Sequence, residues 1–345
     1  MENPIFTIAV MIYNVEKWLP DCIDSIISQE GNDIEILLID DGSTDRCPQI
    51  CDEYADKDSR VKVIHQKNAG VSAARNAALD NAKGKWLIQV DGDDLLTHNA
   101  IELVREYARD DCEILQFDAV PFTEIEELSQ WKPKGEEMLL EGDALQDYHV
   151  QLVERSQANL KIPIYNINPA WAKAWNMEFV RSNHLRYDET VHKGEGTIFT
   201  FTASYLVKKV RVIPMPLYGY RLNPASIMRR FNPDILENQT IQWEQYYKVI
   251  AAHGEEKNPQ IMAALNRRAL YLIGNAINLG VAHRDCTWNY IEKRKWLERL
   301  CNLDWVKQAV RYEKENGMIT RVDNLIYGGK VWHLWVWILV RKMWK

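Results

Sequence analysis

The chain has 345 residues, 46% of them apolar, and a formal net charge of −7. That length holds one full α/β domain and an added helical region. The acidic balance, with no basic domain standing out, argues against nucleic acid as a partner. Six cysteines, none in a Cys-x-x-Cys pair, suit reduced and mostly buried thiols in a cytosolic setting.

The first hundred residues alternate. Ile5 to Tyr13 is an apolar, β-rich run with the character of a strand and is too short for a signal peptide. Glu16 to Gln29 places Trp18, Leu19, Cys22, Ile23, Ile26 and Ile27 at helical spacing. Ile34 to Ile39 is nearly continuous in apolar residues, the mark of a strand covered on both faces. A helix over Asp45–Ala55, a strand at Val61–Ile64, a helix over Ser72–Lys83 and a strand at Trp86–Val90 follow. Such alternation predicts βαβ units, right-handed crossovers and a mostly parallel sheet.

A polar cluster follows each strand. Tyr13-Asn14 come after the first, Asp40 to Asp45 after the second, and Asn68-Ala69-Gly70 after the third, leading to Arg75-Asn76. Asp91-Gly92-Asp93-Asp94 comes after the fourth. Open α/β sheets bind ligands at this edge. Three carboxylates in four positions repel one another, and a hard divalent cation such as Mg²⁺ or Mn²⁺ would relieve that repulsion while keeping positions open for phosphates. An acidic turn followed by a helix cap is the alternative for this run taken alone.

Four segments, Tyr13-Asn14, Asp40–Asp45, Gly70–Asn76 and Asp91–Asp94, resemble in order and spacing those of glycosyltransferase family 2. The resemblance is strong from residue 5 to about 120. One departure is Met11, which stands where many members carry Pro. The resemblance implies a GT-A fold and inverting sugar transfer from a nucleotide sugar. It implies that Asp41 accepts from a uracil-like base, with Tyr13 near the base, Asn14 shaping the pocket and Arg75 near the nucleotide. It places Asp91 at the ribose or the metal and Asp93 as the direct metal ligand. Asp94 would be a ligand or stand behind one. A solvated helix residue is the alternative for Arg75, and a helix cap is the alternative for Asp45.

The family's catalytic loop reads Gly-Glu-Asp, two residues, then Phe. Here Lys193-Gly194-Glu195-Gly196-Thr197-Ile198-Phe199 has Gly196 in place of the Asp. An inverting transfer needs a carboxylate to take the acceptor's proton. Three possibilities stay open: Glu195 is the base, the chain is an inactivated relative, or Asp188 or Glu189 serves. An ion pair of Glu195 with Lys193 or Arg221 is a further alternative. His192 could touch the diphosphate or the metal.

Pro169 to Trp175 resembles the family's acceptor-site stretch, with Trp171 and Lys173 as candidate acceptor contacts, although Trp171 and Trp175 at i and i+4 also suit packed core. Leu217 to Arg221 and Ser226-Ile227-Met228 resemble a following segment, in which Arg221 or Arg229 would reach the leaving diphosphate. A nicotinamide-dependent oxidoreductase is the rival enzyme class, but it calls for Gly-x-Gly-x-x-Gly where this chain has Tyr13-Asn14-Val15-Glu16.

From Pro233 the pattern turns helical, with helices expected at Ile235–Ala252, Pro259–His283, Asn289–Leu300 and Trp305–Glu315. The segment 330–345 carries Trp332, Trp335, Trp337 and Trp344 with four basic residues and no acid. It is too short to span a bilayer and suits its interface, or alternatively docks as an amphipathic helix on protein. The expected divisions are a nucleotide-sugar-binding half (1–120), an acceptor half with the catalytic loop (121–231), a helical extension (232–329) and the basic Trp-rich helix (330–345). The expected setting is the inner face of a cell membrane. The expected partners are a UDP-sugar donor and a glycan or lipid-linked acceptor.

Overall fold

The computed structural model describes residues 4–109, 111–130, 132, 135–154, 162, 164, 167–222, 230–317, 320–331 and 333–334. Two compact units divide the chain. One comprises Met1–Leu152 and Ser156–Asn223, the other Val153–Arg155 and Pro224–Lys345.

In the first unit β1 (Phe6–Ile12), β2 (Ile34–Asp40), β3 (Val61–His65) and β4 (Trp86–Asp91) alternate with α1 (Leu19–Ile27), α2 (Cys47–Lys57) and α3 (Val71–Asn81). Every residue of β1 and β2 is buried, including Thr7 and Glu35, which satisfy each other where Thr7 Oγ1 donates to Glu35 Oε2 at 2.9 Å. Pro20 lies in the first turn of α1, where its missing N–H costs nothing. The stripe of Leu19, Cys22, Ile23 and Ile26 is buried. Each of its aliphatic side chains contributes about 1.5–3 kcal/mol.

The later elements of this unit are β5 (Leu95–Leu96), α4 (Ala100–Tyr107), β6 (Ile114–Phe122), β7 (Met138–Glu141), α5 (Ala144–Glu154), β8 (Lys173–Asn176), α6 (Met177–Ser182), α7 (Glu195–Ser204) and β9 (Lys209–Arg221). All nine strands form one sheet in the order β3-β2-β1-β4-β8-β6-β9-β5, with β7 paired to β9. β1 pairs in parallel with both β2 and β4. The strand order therefore reverses beside β1, and its carboxyl end faces the crevice where open sheets take ligands. The antiparallel ladders of β8 with β4 and β6 are short, and β6 and β9 pair in parallel.

The second unit is helical: α8 (Ile235–Ala252), α9 (Pro259–Leu279), α10 (Tyr290–Asn302), α11 (Asp304–Glu315) and α12 (Arg321–Tyr327). Asn258 caps α9 by accepting from the N–H groups of Gln260 and Ile261, and Asn289 with Glu292 forms a capping box on α10. α9 ends at Leu279, before the expected His283, because Gly280 stops it. Its core includes Leu272, Ile273, Leu297 and Val306. Leu334 is also buried there, whereas Trp332, Trp335, Trp337 and Trp344 lie outside the described residues.

The expectation that no basic domain stands out is corrected by this division. The helical unit holds 20 of the 42 Lys and Arg but 13 of the 49 Asp and Glu, so it carries +7. The sheet-bearing unit, with the remaining 22 and 36, carries −14. The net −7 of the whole chain conceals two opposite charges.

Candidate active site

The polar clusters converge because β1, β2 and β4 run in register. Ile12 pairs with Asp40, and Met11 pairs with Asp91. Beyond these ends Asn14 takes a left-handed conformation, φ +52°, one of the few side chains that tolerate it. Its Oδ1 accepts from Thr44 N at 2.8 Å, and its own N–H donates to Ser43 Oγ at 3.1 Å. Asn14 thus fixes the loop after β2. Tyr13 beside it is 43% exposed and offers an open ring at the cleft edge.

Asp41 is buried, and its carboxylate is fully engaged. Oδ1 accepts from Gln66 Nε2 at 2.7 Å and Ala69 N at 3.0 Å. Oδ2 accepts from Gly70 N at 2.8 Å and Asn68 Nδ2 at 3.3 Å. This carboxylate holds the loop between β3 and α3, so a base imide would have to displace one of these donors. The cap position of α2 falls to Arg46, not to Asp45, although Asp45 Oδ1 accepts from Cys47 N, the first N–H of the helix, at 3.0 Å. Sequence reading missed the partner of Asp40. His65 Nδ1 lies 3.0 Å from Asp40 Oδ2 and Nε2 lies 3.1 Å from Asp52 Oδ1, and these contacts raise the pKa of His65.

Arg75 is no solvated helix residue; it is 4% exposed. Nη2 donates to Asp91 Oδ1 and Nη1 to Glu195 Oε1, both at 2.8 Å. Burial pulls the pKa of Arg75 down, but the charges of Asp91 and Glu195 outweigh it and push the pKa upward. Glu195 therefore pairs with Arg75, not with Lys193 or Arg221. It is the first residue of α7, behind Gly194 at φ +82°, so its carboxylate sits at a helix N-terminus. At Gly196 a β-carbon would lie 2.8 Å from Arg75 Nη1 and 3.1 Å from Ala170 N. The guanidinium occupies the space a side chain at 196 would enter.

The two other candidate bases have local duties. Asp188 Oδ1 accepts from Thr190 N and Oγ1, and Glu189 Oε1 accepts from Asn76 Nδ2. His192 is exposed on the loop before α7.

Asp93 differs from its neighbours. Among the described residues its carboxylate accepts no hydrogen bond from another residue, although its backbone O accepts from Arg221 Nε at 2.8 Å. Burial, reinforced by the charge of Asp91, pushes its pKa up to about 6. Asp94 is buried behind it and accepts from Tyr218 Oη at 2.6 Å and Arg221 N at 2.8 Å. Burial, with Asp93 and Asp91 adding, pushes Asp94 well above the usual carboxylate range. Tyr218 Oη also accepts from Asp91 N at 3.1 Å, so this residue, part of the Leu217–Arg221 segment but given no role of its own by the sequence, ties both ends of the acidic run to β9. Arg221 reaches Asp21 Oδ2 at 3.2 Å and stacks over the Phe122 ring. Arg229 lies outside the described residues.

No group of three or more His, Cys, Asp or Glu side chains among the described residues could hold a metal unaided. A cation held by one or two carboxylates and the substrate's phosphates needs no such cage. The crowded, unbonded carboxylate of Asp93 fits that arrangement, with Asp91 beside it but tied to Arg75.

The candidate acceptor contacts are buried. Trp171 is 7% exposed and stacked on Tyr218 and Tyr220 at 4.6 and 5.5 Å. Lys173 is fully buried, and its Nζ donates to the carbonyls of Ile167 and Pro169. Burial lowers its pKa well below the ordinary lysine value. Both side chains brace the 167–172 turn, which packs against Gly196 through Ala170.

Residues 7–164 match the family model for glycosyl transferase family 2. The chain is 27% identical over 342 residues to the uncharacterized glycosyltransferase EpsJ of Bacillus subtilis, covering 96% of this chain and 93% of that one. It is 32% identical over 229 residues to the glycosyltransferase GlyG of Streptococcus pneumoniae, covering 66% and 74%. Among solved structures, S. aureus TarS in complex with UDP-GlcNAc superposes with a TM-score of 0.66 at 18% identity, over 95% of this chain and 89% of that one. The mannosyltransferase PcManGT of Pyrobaculum calidifontis, in complex with GDP-Man and Mn²⁺, gives 0.51 at 14% identity, over 100% and 88%. These two likenesses show the GT-A fold.

Proposed function

The chain belongs to glycosyltransferase family 2, and we propose that it moves a sugar with inversion from a UDP-sugar to a hydroxyl of a glycan or lipid-linked oligosaccharide. The setting is surface-polysaccharide synthesis at the inner face of a membrane. Relatives named chondroitin synthase and hyaluronan synthase and the UDP-GlcNAc complex of TarS support the polymer and the donor. The observation that carries the reading is the Arg75 clasp, which joins Asp91 on β4 to Glu195 on α7 beside the unbonded Asp93 carboxylate.

Tyr13 lines the base pocket, and Asn14 and Asp41 hold its loops. Asp93, with Asp91 beside it, would hold Mn²⁺ or Mg²⁺, which supplies Lewis-acid stabilisation to a leaving diphosphate. Arg221 adds positive charge at the same edge. Glu195 takes the proton from the acceptor hydroxyl as its oxygen bonds to the anomeric carbon and the bond to the diphosphate breaks. Arg75 positions Glu195 for that transfer. Gly196 favours a second reading, an inactivated or purely binding relative. Release of free nucleotide from a panel of nucleotide sugars, with and without Mn²⁺, tests both. Donor-specific release that Glu195→Gln abolishes supports the enzyme, and binding without release supports the second reading. The membrane setting draws on the 330–345 segment; no helix among the described residues is long and apolar enough to cross a bilayer.

A further inference from the structure

A groove of about 830 Å³ opens on the helical unit along the whole of α10, between it, Lys307 of α11, the end of α12 and the first residues of the Trp-rich segment. Arg294, Lys307, Lys330 and His333 line it, and Glu298 is its acid. Glu298 is already paired with Arg294, Oε1 to Nε at 2.8 Å. Lys307 and Lys330 are exposed and form no ion pair among the described residues. The groove therefore presents uncompensated positive charge, on the unit that carries +7.

Its rim is amphipathic. Tyr290 and Tyr327 line it and are 46% and 43% exposed, and Ile291 beside Tyr290 is 62% exposed. Tyrosine rings and aliphatic side chains next to cationic residues are the composition of protein surfaces at headgroup depth. Lys330, Val331 and His333 belong both to this groove and to the segment whose remaining residues include four Trp and three further basic residues. The groove and the segment are thus continuous in the chain and alike in chemistry.

We infer that this groove is a binding site for the phosphate headgroup of an anionic membrane lipid. Lys307 and Lys330 meet the phosphate, while Tyr290, Ile291 and Tyr327 enter the headgroup layer. The inference rests on the membrane setting proposed above but not on the sugar-transfer chemistry. It adds a headgroup-specific site to the interfacial contact expected of the Trp-rich segment. Duplex DNA would also meet the positive charge, but with its bases stacked inside the helix it would leave the exposed Ile291 and the Tyr rings without a role.

The full chain is mixed with vesicles of phosphatidylglycerol and phosphatidylcholine, or of phosphatidylcholine alone, and the bound fraction is measured by flotation. Binding to the anionic vesicles is expected, with a decrease as salt is raised. The double variant Lys307→Glu, Lys330→Glu is expected to bind them at least about tenfold more weakly. Ile291→Ser should weaken binding without changing nucleotide release. In a chain with Trp335→Ser and Trp337→Ser, the residual anionic binding should still depend on Lys307 and Lys330. The groove is refuted if the double variant binds like the parent while only the Trp variants lose binding, a result that leaves the membrane setting standing. It is also refuted if duplex DNA competes as well as anionic vesicles do, if the parent binds both vesicles equally, or if it binds neither; the last result removes the membrane setting too.

Discussion

Arg75 Nη1 donates to Glu195 Oε1 at 2.8 Å, joining residues 120 positions apart in the sequence. The same guanidinium holds Asp91 through its other arm. A buried cation between two carboxylates fixes the spacing of the sheet edge and the catalytic loop. Removing it leaves two partly buried charges uncompensated.

Arg75→Ala is therefore expected to lower the unfolding free energy by about 3–5 kcal/mol, read from urea denaturation. Arg75→Lys keeps the charge but cannot reach both carboxylates in the same planar geometry, so it should recover only part of the loss. A loss below about 1 kcal/mol in Arg75→Ala would mean that the clasp is not formed in solution.

Asp93 contributes in the opposite direction. Its carboxyl is raised to about 6 from an ordinary value of 3.8. The folded protein therefore holds the proton more tightly than the unfolded chain does. Above pH 6 the ionised group weakens the fold, and the penalty disappears as pH falls from about 6 to about 4. Asp93→Asn should stabilise the metal-free protein at neutral pH by about 2–3 kcal/mol, with the gain shrinking across that window. Melting temperatures of the two proteins across pH check this. A destabilised variant at pH 7 would contradict it.

Gly196→Asp tests which carboxylate takes the proton. A β-carbon there would lie 2.8 Å from Arg75 Nη1, so the guanidinium must move and its bond to Glu195 is lost or weakened. With Glu195 as the base, nucleotide release should fall by about tenfold or more. A rise in turnover would assign the base to position 196 and make this chain an inactivated relative.

The N-terminal half was legible because local pattern and tertiary role coincide there. Ile34–Ile39 reads as a doubly covered strand and is one, and Asp91–Asp94 follows its strand as expected. The second half was harder to read. β9 spans Lys209–Arg221 but is interrupted by Pro214 and Pro216 and leaves register with β6 near Asp118, which blurs any two-residue alternation. Tyr218 falls in the Leu217–Arg221 segment that the resemblance picks out, but nothing local in the sequence shows that its hydroxyl bonds at both ends of the acidic run, more than 120 residues away. Lys173 was misjudged because lysine usually seeks solvent; here two backbone carbonyls satisfy it in the interior. The charge of the helical unit was hidden by summing over the whole chain.

Cation-dependent donor binding at Asp93 is read directly by calorimetric titration of the protein with UDP at neutral pH, with and without Mn²⁺, for the parent chain and Asp93→Ala. A heat of binding that requires the cation in the parent and is absent in the variant is expected. UDP binding of equal strength with and without Mn²⁺, or binding that survives the loss of Asp93, would contradict it.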